Sequence, residues 1–368
     1  MGRFAAPAAE TGEFGGVPLT PYREVMALVD WEMAVATGAK LAPGGPDVSL
    51  TEAHAVVEQL GRLAAASVPV VAEATGMYAD PSDTATVVVD RPEWIASNVR
   101  GFRTIMEPLE QRMVAEGRGG SALAGKAGAA ELGGVLAWIS TKVLGQFEAL
   151  TPPGERSRLM LVAPNILHTE RALGLRSTDF RMWVCLHEET HRVQFGAVPW
   201  LADHFRAEID TFLAGVQTGA MDTVKRLGSV LAAVARVLAG ASGATIVDAA
   251  QTPVQKQVFD RLTALMSLLE GHAEHVMDAA GPSVIPSLVM IRERFDQRRA
   301  KPGAADGLMR RLLGMDTKLK QYSDGRVFVD HVVAEVGMAG FNRVWTSPNT
   351  LPTRQEIADP AAWVRRMS

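Results

Sequence analysis

Two histidines four residues apart, in His187-Glu188-Glu189-Thr190-His191, constrain this chain more than any other feature. Residues at i and i+4 stand one above the other on a helix face, so both imidazoles can reach one point in space. Glu188 is then held beside that point. A fold that keeps this stretch helical must place the two rings in water, in an apolar core, or around a metal ion. Zinc fits the last arrangement: two imidazoles hold it, and the intervening carboxylate stands next to any water it binds. Core histidines satisfied by hydrogen bonds are the plainer alternative, and the glutamate between them favours the metal.

The surrounding pattern predicts a helix from about 178 to 195, with Ser177 or Thr178 and Asp179 as the N-cap signal and Gly196 as the stop. Phe180, Trp183, Val184, His187, His191 and Gln194 share one stripe, which points the histidines inward. Glu189 and Arg192 are expected to pair at i,i+3 on the solvent side.

A zinc site of this kind needs a third protein ligand and an open fourth position. A histidine six residues after the second one, preceded by a glycine, is excluded, because Gln194 and Ala197 stand there. The leading alternative is Glu270, in Leu268-Leu269-Glu270-Gly271-His272-Ala273-Glu274-His275. A helix is predicted to run from the capping box Thr252-Pro253-Val254-Gln255 to near Gly281. Leu262, Met266, Glu270, Ala273 and Met277 form its inward stripe, and a carboxylate there needs a cation or a proton. Gly271 is expected to permit close approach to the first histidine helix. Glu274, one turn on, is expected to accept the N–H of a ligand histidine. Glu208 and Asp210 are rival ligands of lower rank, because the glycine and second carboxylate of such signatures are missing.

Glu270-Gly271-His272-Ala273-Glu274 resembles the third-ligand segment of the gluzincins, although the separation from His191 is far longer here than in their aminopeptidase members. A longer resemblance is to a family of zincin-like metallopeptidases of actinobacteria and their relatives, labelled as associated with deazaflavin-coenzyme biosynthesis. It is carried by Asp30-Trp31, Val89-Asp90-Arg91-Pro92-Glu93-Trp94, Pro164-Asn165-Ile166, Trp183 to His191, Met266 to Asp278, and Gln321 to Phe328. The resemblance implies a zincin-like α+β fold, predominantly helical, with a small β-sheet and a cleft between two lobes. It also implies Zn2+ on His187, His191 and Glu270, with Glu188 as general base. A tyrosine downstream of the third ligand stabilises the oxyanion in the aminopeptidase gluzincins, which points to Tyr322, with His275 and His331 in reserve. Lys318 to Gln321 and Ser323-Asp324-Gly325 are read as a helix end and a turn that would present this tyrosine.

Composition fits a soluble enzyme. At 47% hydrophobic and 21% charged, 368 residues can bury a large core. A formal net charge of −4 without a basic run argues against nucleic acid as a partner. Cys185 is the one cysteine, which fits a reducing cytoplasm, and it reads as a small core residue. No signal peptide is expected, since Met1 to Gly16 lacks an apolar h-region, and no transmembrane segment, since Leu227 to Val247 is interrupted by Arg236 and Ala239-Gly240-Ala241-Ser242-Gly243. Three regions are expected: a flexible tail over 1–16, a helical lobe with the small sheet over 17–200, and a second helical lobe over 201–368. Oligomeric state is left open.

Helices are predicted over Pro21 to Gly38, Ser49 to Gly76 with a break or kink at Pro69, Arg91 to Glu116, and Ala129 to Leu150. Leu159 to Ala163 is the strand candidate, at a short sheet edge, and Pro348 to Ala362 is expected to be extended. Gly120-Ser121-Ala122-Leu123-Ala124-Gly125-Lys126 has Walker A spacing, but Ala127 replaces the magnesium-binding hydroxyl and no strand precedes it, so it reads as a linker. Glu188-x-x-His191 also matches half of a di-iron site, yet Glu270 and Glu274 lack a histidine three residues on. The reading that follows is a zinc-dependent hydrolase acting on a peptide or other amide. A catalytically inactive zincin-like scaffold is the alternative.

Overall fold

The computed structural model describes residues 29–116, 121–152, 154–214, 253–300 and 318–368. The expected tail over 1–16, the apolar run Leu227 to Val247 and the residues before Val29 lie outside them. Asp30 caps α1 (Trp31–Leu41), its carboxylate accepting the Met33 N–H at 2.9 Å. α2 (Leu50–Thr75) begins at Ser49 and ends at Gly76, where φ is 65°. Of the break or kink expected at Pro69, the break does not occur, and α2 continues through it. Ala65 and Pro69 both face solvent, so water can satisfy the carbonyl that the proline leaves unpaired. By length and composition α2 could cross a bilayer, with mean hydropathy 1.3. Val56, Leu60, Ala64, Ser67, Val71 and Thr75 give it one buried stripe at helical spacing.

β1 (Thr84–Val89) is β-branched at every position except Ala85, a strand signal that periodicity alone did not single out. Asp90 then caps α3 (Arg91–Ala115), with Pro92 in its first turn. The helix predicted over Ala129 to Leu150 is shifted: α4 (Ala122–Ile139) starts on a cap in which the Ser121 hydroxyl oxygen accepts the Ala124 N–H. The supposed linker over 120–126 is therefore largely the first turns of α4. The remainder of that prediction becomes β2 (Gly145–Phe147), three residues too short to show alternation. β3 (Ser157–Val162) leads directly into α5 (Ala163–Ala172).

The sheet order is β1-β3-β2, so the strand read from sequence as an edge is the centre. β1 runs parallel to β3, with Val89 opposite Val162; β2 runs antiparallel, with Gly145 opposite Leu161. Alternation along β3 divides two cores. Met160 and Val162 enter a cluster with Trp94, Phe102 and Leu265, while Leu159 and Leu161 enter another with Phe180 and Leu186. Burying each of these side chains is worth about 1.5–3 kcal/mol, so the sheet is fixed from both faces.

α6 (Ser177–Ala197), α7 (Leu201–Ala214), α8 (Pro253–Ala279), α9 (Gly281–Val284), α10 (Leu288–Ala300) and α11 (Lys318–Phe341) complete most of the fold. The C-terminal proline-rich segment is not extended. α12 (Arg354–Ala358) starts on a Thr353–Glu356 capping box, and α13 (Pro360–Met367) has proline in its first turn. Trp363 of α13 is 1% exposed and its indole N–H bonds Thr350 O, which anchors the segment. The mostly helical α+β architecture expected from the sequence is the one observed.

Two segments quoted for the resemblance meet at one amide. Asn165 Nδ2 donates to Ser140 O and Val143 O, both at 2.6 Å, and its Oδ1 accepts from Arg91 Nε at 2.8 Å. Arg91 in turn holds Pro43 O and Gly44 O. Asn165 thus fixes the loop that delivers Gly145 to the site described next.

Candidate metal centre

α6 is buried on nearly every side, and its contacts differ from the sequence reading at three places. Neither Ser177 nor Thr178 caps it; the cap position is Arg176, without a side-chain bond. Asp179 instead accepts from Ser287 N at 2.9 Å and Ser287 Oγ at 2.6 Å, tying the start of α6 to the approach to α10. Gly196 does not end the helix, which reaches Ala197; a Cβ there would meet the Ala79 methyl at 2.7 Å. Glu189 and Arg192 do pair, but in the interior rather than in solvent, with side chains 3% and 2% exposed. Arg192 also donates to Ala79 O, so the segment before β1 covers this face. Breaking such a pair by removing one partner costs roughly 3–5 kcal/mol.

His187 and His191 are the half-buried positions in this stretch. Their Nε2 atoms are 3.1 Å apart, and the rings meet edge to face. Glu270 of α8 projects between them: Oε2 lies 3.5 Å from His187 Nε2, and Oε1 3.8 Å from His191 Nε2. One ligand atom from each residue lies within 4.8 Å of the others, the one such cluster among the described residues. Tetrahedral zinc with bonds of about 2.0–2.2 Å separates its ligand atoms by roughly 3.3–3.6 Å. The donor set, two imidazoles and one carboxylate, and its spacing therefore fit zinc.

Glu188 is 5% exposed and lies against β2. A Cβ at Gly145 would stand 2.5–2.7 Å from Cγ, Cδ and Oε1 of Glu188, so glycine there leaves room for the carboxylate where it lies. Sequence reasoning missed Gly145, since nothing in its neighbours marks it as different from a loop glycine. Burial, and then the nearby Glu270 charge, push the Glu188 pKa well above the usual carboxylate value. A divalent cation held by His187, His191 and Glu270 would oppose that shift and favour the ionised form.

Around the centre, Gly271 serves a different contact from the one expected. It faces α11, not α6: an added Cβ would overlap the carbonyl of Gly325, and one on Gly325 would overlap the Ser267 carbonyl. These paired glycines let α8 and α11 cross backbone to backbone. Ser323-Asp324-Gly325 accordingly continues a helix and does not form a turn. Tyr322 lies in the first turns of α11, and its side chain is outside the described residues. Glu274 is buried with its carboxylate 3.6 Å from Arg292 Nη1. His272 is completely buried beside the rings of Phe341 and Trp345, and this burial holds its pKa at about 3.

The rival ligands go elsewhere. Glu208 binds the Arg261 guanidinium at 2.7–3.0 Å, and Asp210 faces solvent on α7. Of the reserve donors, His275 Nδ1 contacts Asp330 Oδ1 at 2.7 Å, and His331 pairs with Glu335 on the surface of α11. Cys185 is buried, and burial raises its thiol to about 12, as suits a core residue.

A family model described as zincin-like metallopeptidase matches residues 29–364, spanning the histidine helix, Glu270 and the C-terminal helices. The chain belongs to this family. It is also similar to a crystal structure from Chloroflexus aurantiacus, provisionally named a hydrolase with a novel fold. The two are 32% identical with a TM-score of 0.66, and the match covers 92% of this chain and 98% of the other. No curated protein matches the chain. The family assignment and this neighbour support a hydrolase.

Proposed function

We propose that this zincin-like protein is a zinc-dependent hydrolase that cleaves amide bonds in peptides, with His187, His191 and Glu270 as ligands and Glu188 as general base. The observation that carries the reading is the convergence of those three ligands beside a buried carboxylate that lies against the edge strand β2 at Gly145. Zinc bound there supplies a Lewis acid that polarises the scissile carbonyl and lowers the pKa of water toward about 7. Glu188 accepts the proton of the attacking water and returns it to the leaving amine. Its burial favours this cycle, because the protonated form is well tolerated. Glu274, one turn beyond Glu270 on α8, is assigned to orient a ligand histidine, with the Arg292 guanidinium beside it.

A peptide substrate is favoured by β2. Leu144 O and Glu148 N bond β3, so with Gln146 opposite Met160 the main-chain groups of Gly145 and Phe147 point the other way. An extended peptide can add to that edge, which brings its backbone alongside Glu188. Gly145→Ala is therefore expected to keep zinc but lower kcat by about 10²-fold, because displacing a reacting group by about 1 Å costs that much. Zinc content and steady-state rates on one substrate check this.

Tyr322 is assigned as the donor to the oxyanion. Support comes from α11, which crosses α8 at Ser267 to Gly271, the turn that bears Glu270. Tyr322→Phe is expected to lower kcat by roughly 10²–10³ with unchanged zinc content and melting temperature. Normal turnover in that variant, with loss in His275→Ala, would transfer the role.

The reading as a whole is tested by incubating zinc-loaded protein with a diverse peptide library and mapping new termini by mass spectrometry. Cleavage that stops on chelation and returns with zinc is expected. A library left intact by the zinc-loaded protein contradicts peptidase activity.

A further inference from the structure

Gln194 stands one turn beyond His191 on α6, with 0% exposure. Its amide makes three contacts. Oε1 lies 2.9 Å from His191 Nδ1, while Nε2 lies 2.9 Å from Leu269 O and 3.0 Å from His272 Nδ1. A backbone carbonyl only accepts, so the Leu269 contact requires the amide nitrogen to face α8. The amide oxygen must then face His191, and an oxygen only accepts. His191 Nδ1 is therefore the protonated nitrogen, and Nε2, the atom 3.1 Å from His187 Nε2, is left bare.

The second donor bond has a matching consequence. His272 Nδ1 must accept from Gln194, which places its own proton on Nε2, an atom with no hydrogen-bond partner. A buried imidazole packed against Phe341 and Trp345 thus serves this amide as an acceptor. Leu269 immediately precedes Glu270, so one side chain joins the backbone behind the third ligand to the ring of the second.

We propose that Gln194 is a positioning residue of the metal centre: anchored to Leu269 O and His272, it imposes the Nδ1–H tautomer on His191 and fixes the α6–α8 spacing between His191 and Glu270. This rests on the assignment of His191 and Glu270 as ligands, yet the tautomer is a property of the metal-free protein. Gln194→Met keeps similar volume and removes all three bonds. Gln194→Glu keeps the acceptor for His191 and removes the donors to α8.

The test is 15N-detected NMR of histidine rings in the zinc-free protein, followed by zinc titration against a competing chelator. Wild-type His191 is expected as the Nδ1–H form alone. Gln194→Met is expected to show a mixture of tautomers and zinc affinity lower by about 10–100-fold, the usual effect of losing a partner behind a ligand. Gln194→Glu is expected to retain the Nδ1–H form. An Nε2–H His191 in the wild type overturns the proposal without any variant, as does a Gln194→Met protein with unchanged tautomer and affinity. A wild-type protein that binds no zinc overturns the ligand assignment instead, while the tautomer readings still decide the role of Gln194.

Discussion

Glu188→Gln is expected to retain one zinc per chain and to lower turnover by roughly 10²–10⁴-fold, the usual contribution of a general acid–base group. Glutamine preserves the shape beside Gly145 and removes only the proton acceptor. His187→Ala and His191→Ala are expected to fail differently, by losing the metal itself. Structural zinc binds with about 10–16 kcal/mol over four ligands, so one ligand is worth on the order of 3 kcal/mol, more than a hundredfold in affinity. Asp210→Ala and Glu208→Ala should bind zinc as the wild type does, since Glu208 pairs with Arg261, Asp210 faces solvent and neither belongs to the cluster. Metal analysis after dialysis, paired with rates on a cleaved peptide, separates base from ligand. A Glu188→Gln protein with full activity would remove the proposed chemistry.

Gly271→Ala and Gly325→Ala are each expected to destabilise the fold by about 3 kcal/mol or more. The sign is the informative part. In an open helix, alanine is better than glycine by about 1 kcal/mol. Gly61, on the exposed side of α2 with nothing within 4 Å of an added Cβ, is the position where that gain is expected. At Gly271 and Gly325 the methyl would instead overlap backbone carbonyls of the opposing helix, which cannot rotate away. α8 and α11 would have to separate, with overpacking costs of about 1–3 kcal/mol or higher and the loss of contacts beyond. Because Glu270 adjoins Gly271, zinc affinity should fall with stability. Urea denaturation of the three variants checks the contrast; a stabilised Gly271→Ala would contradict the crossing.

Local signals in the sequence located most of what is periodic or capped. Helical patterning placed α3 over Arg91 to Glu116 and α2 over Ser49 to Gly76, and apolar stripes placed the histidine and Glu270 helices. Long-range geometry was not legible. Gly271 was read as a point of close approach, correctly in kind, but the partner helix is α11 and not α6, because spacing along one helix does not say which neighbour it meets. β2 is three residues long and owes its conformation to pairing with β3 and to Asn165, which lies eighteen residues beyond Phe147 in sequence. Glu189 and Arg192 looked like a surface pair because charge predicts exposure; only the segment at Ala79 shows why they are inside. Tyr322 was read at a helix end on the strength of Ser323-Asp324-Gly325, whereas Gly325 is required by a helix crossing.

X-ray absorption at the zinc edge of the metal-loaded protein tests the central claim most directly. The expected spectrum has a first shell of nitrogen and oxygen at about 2.0–2.2 Å with scattering from two imidazoles, and Glu270→Ala changes or abolishes it. A sulfur shell at about 2.3 Å, a second metal at about 3.5–4 Å, or a zinc spectrum indifferent to the loss of His187, His191 and Glu270 would contradict it.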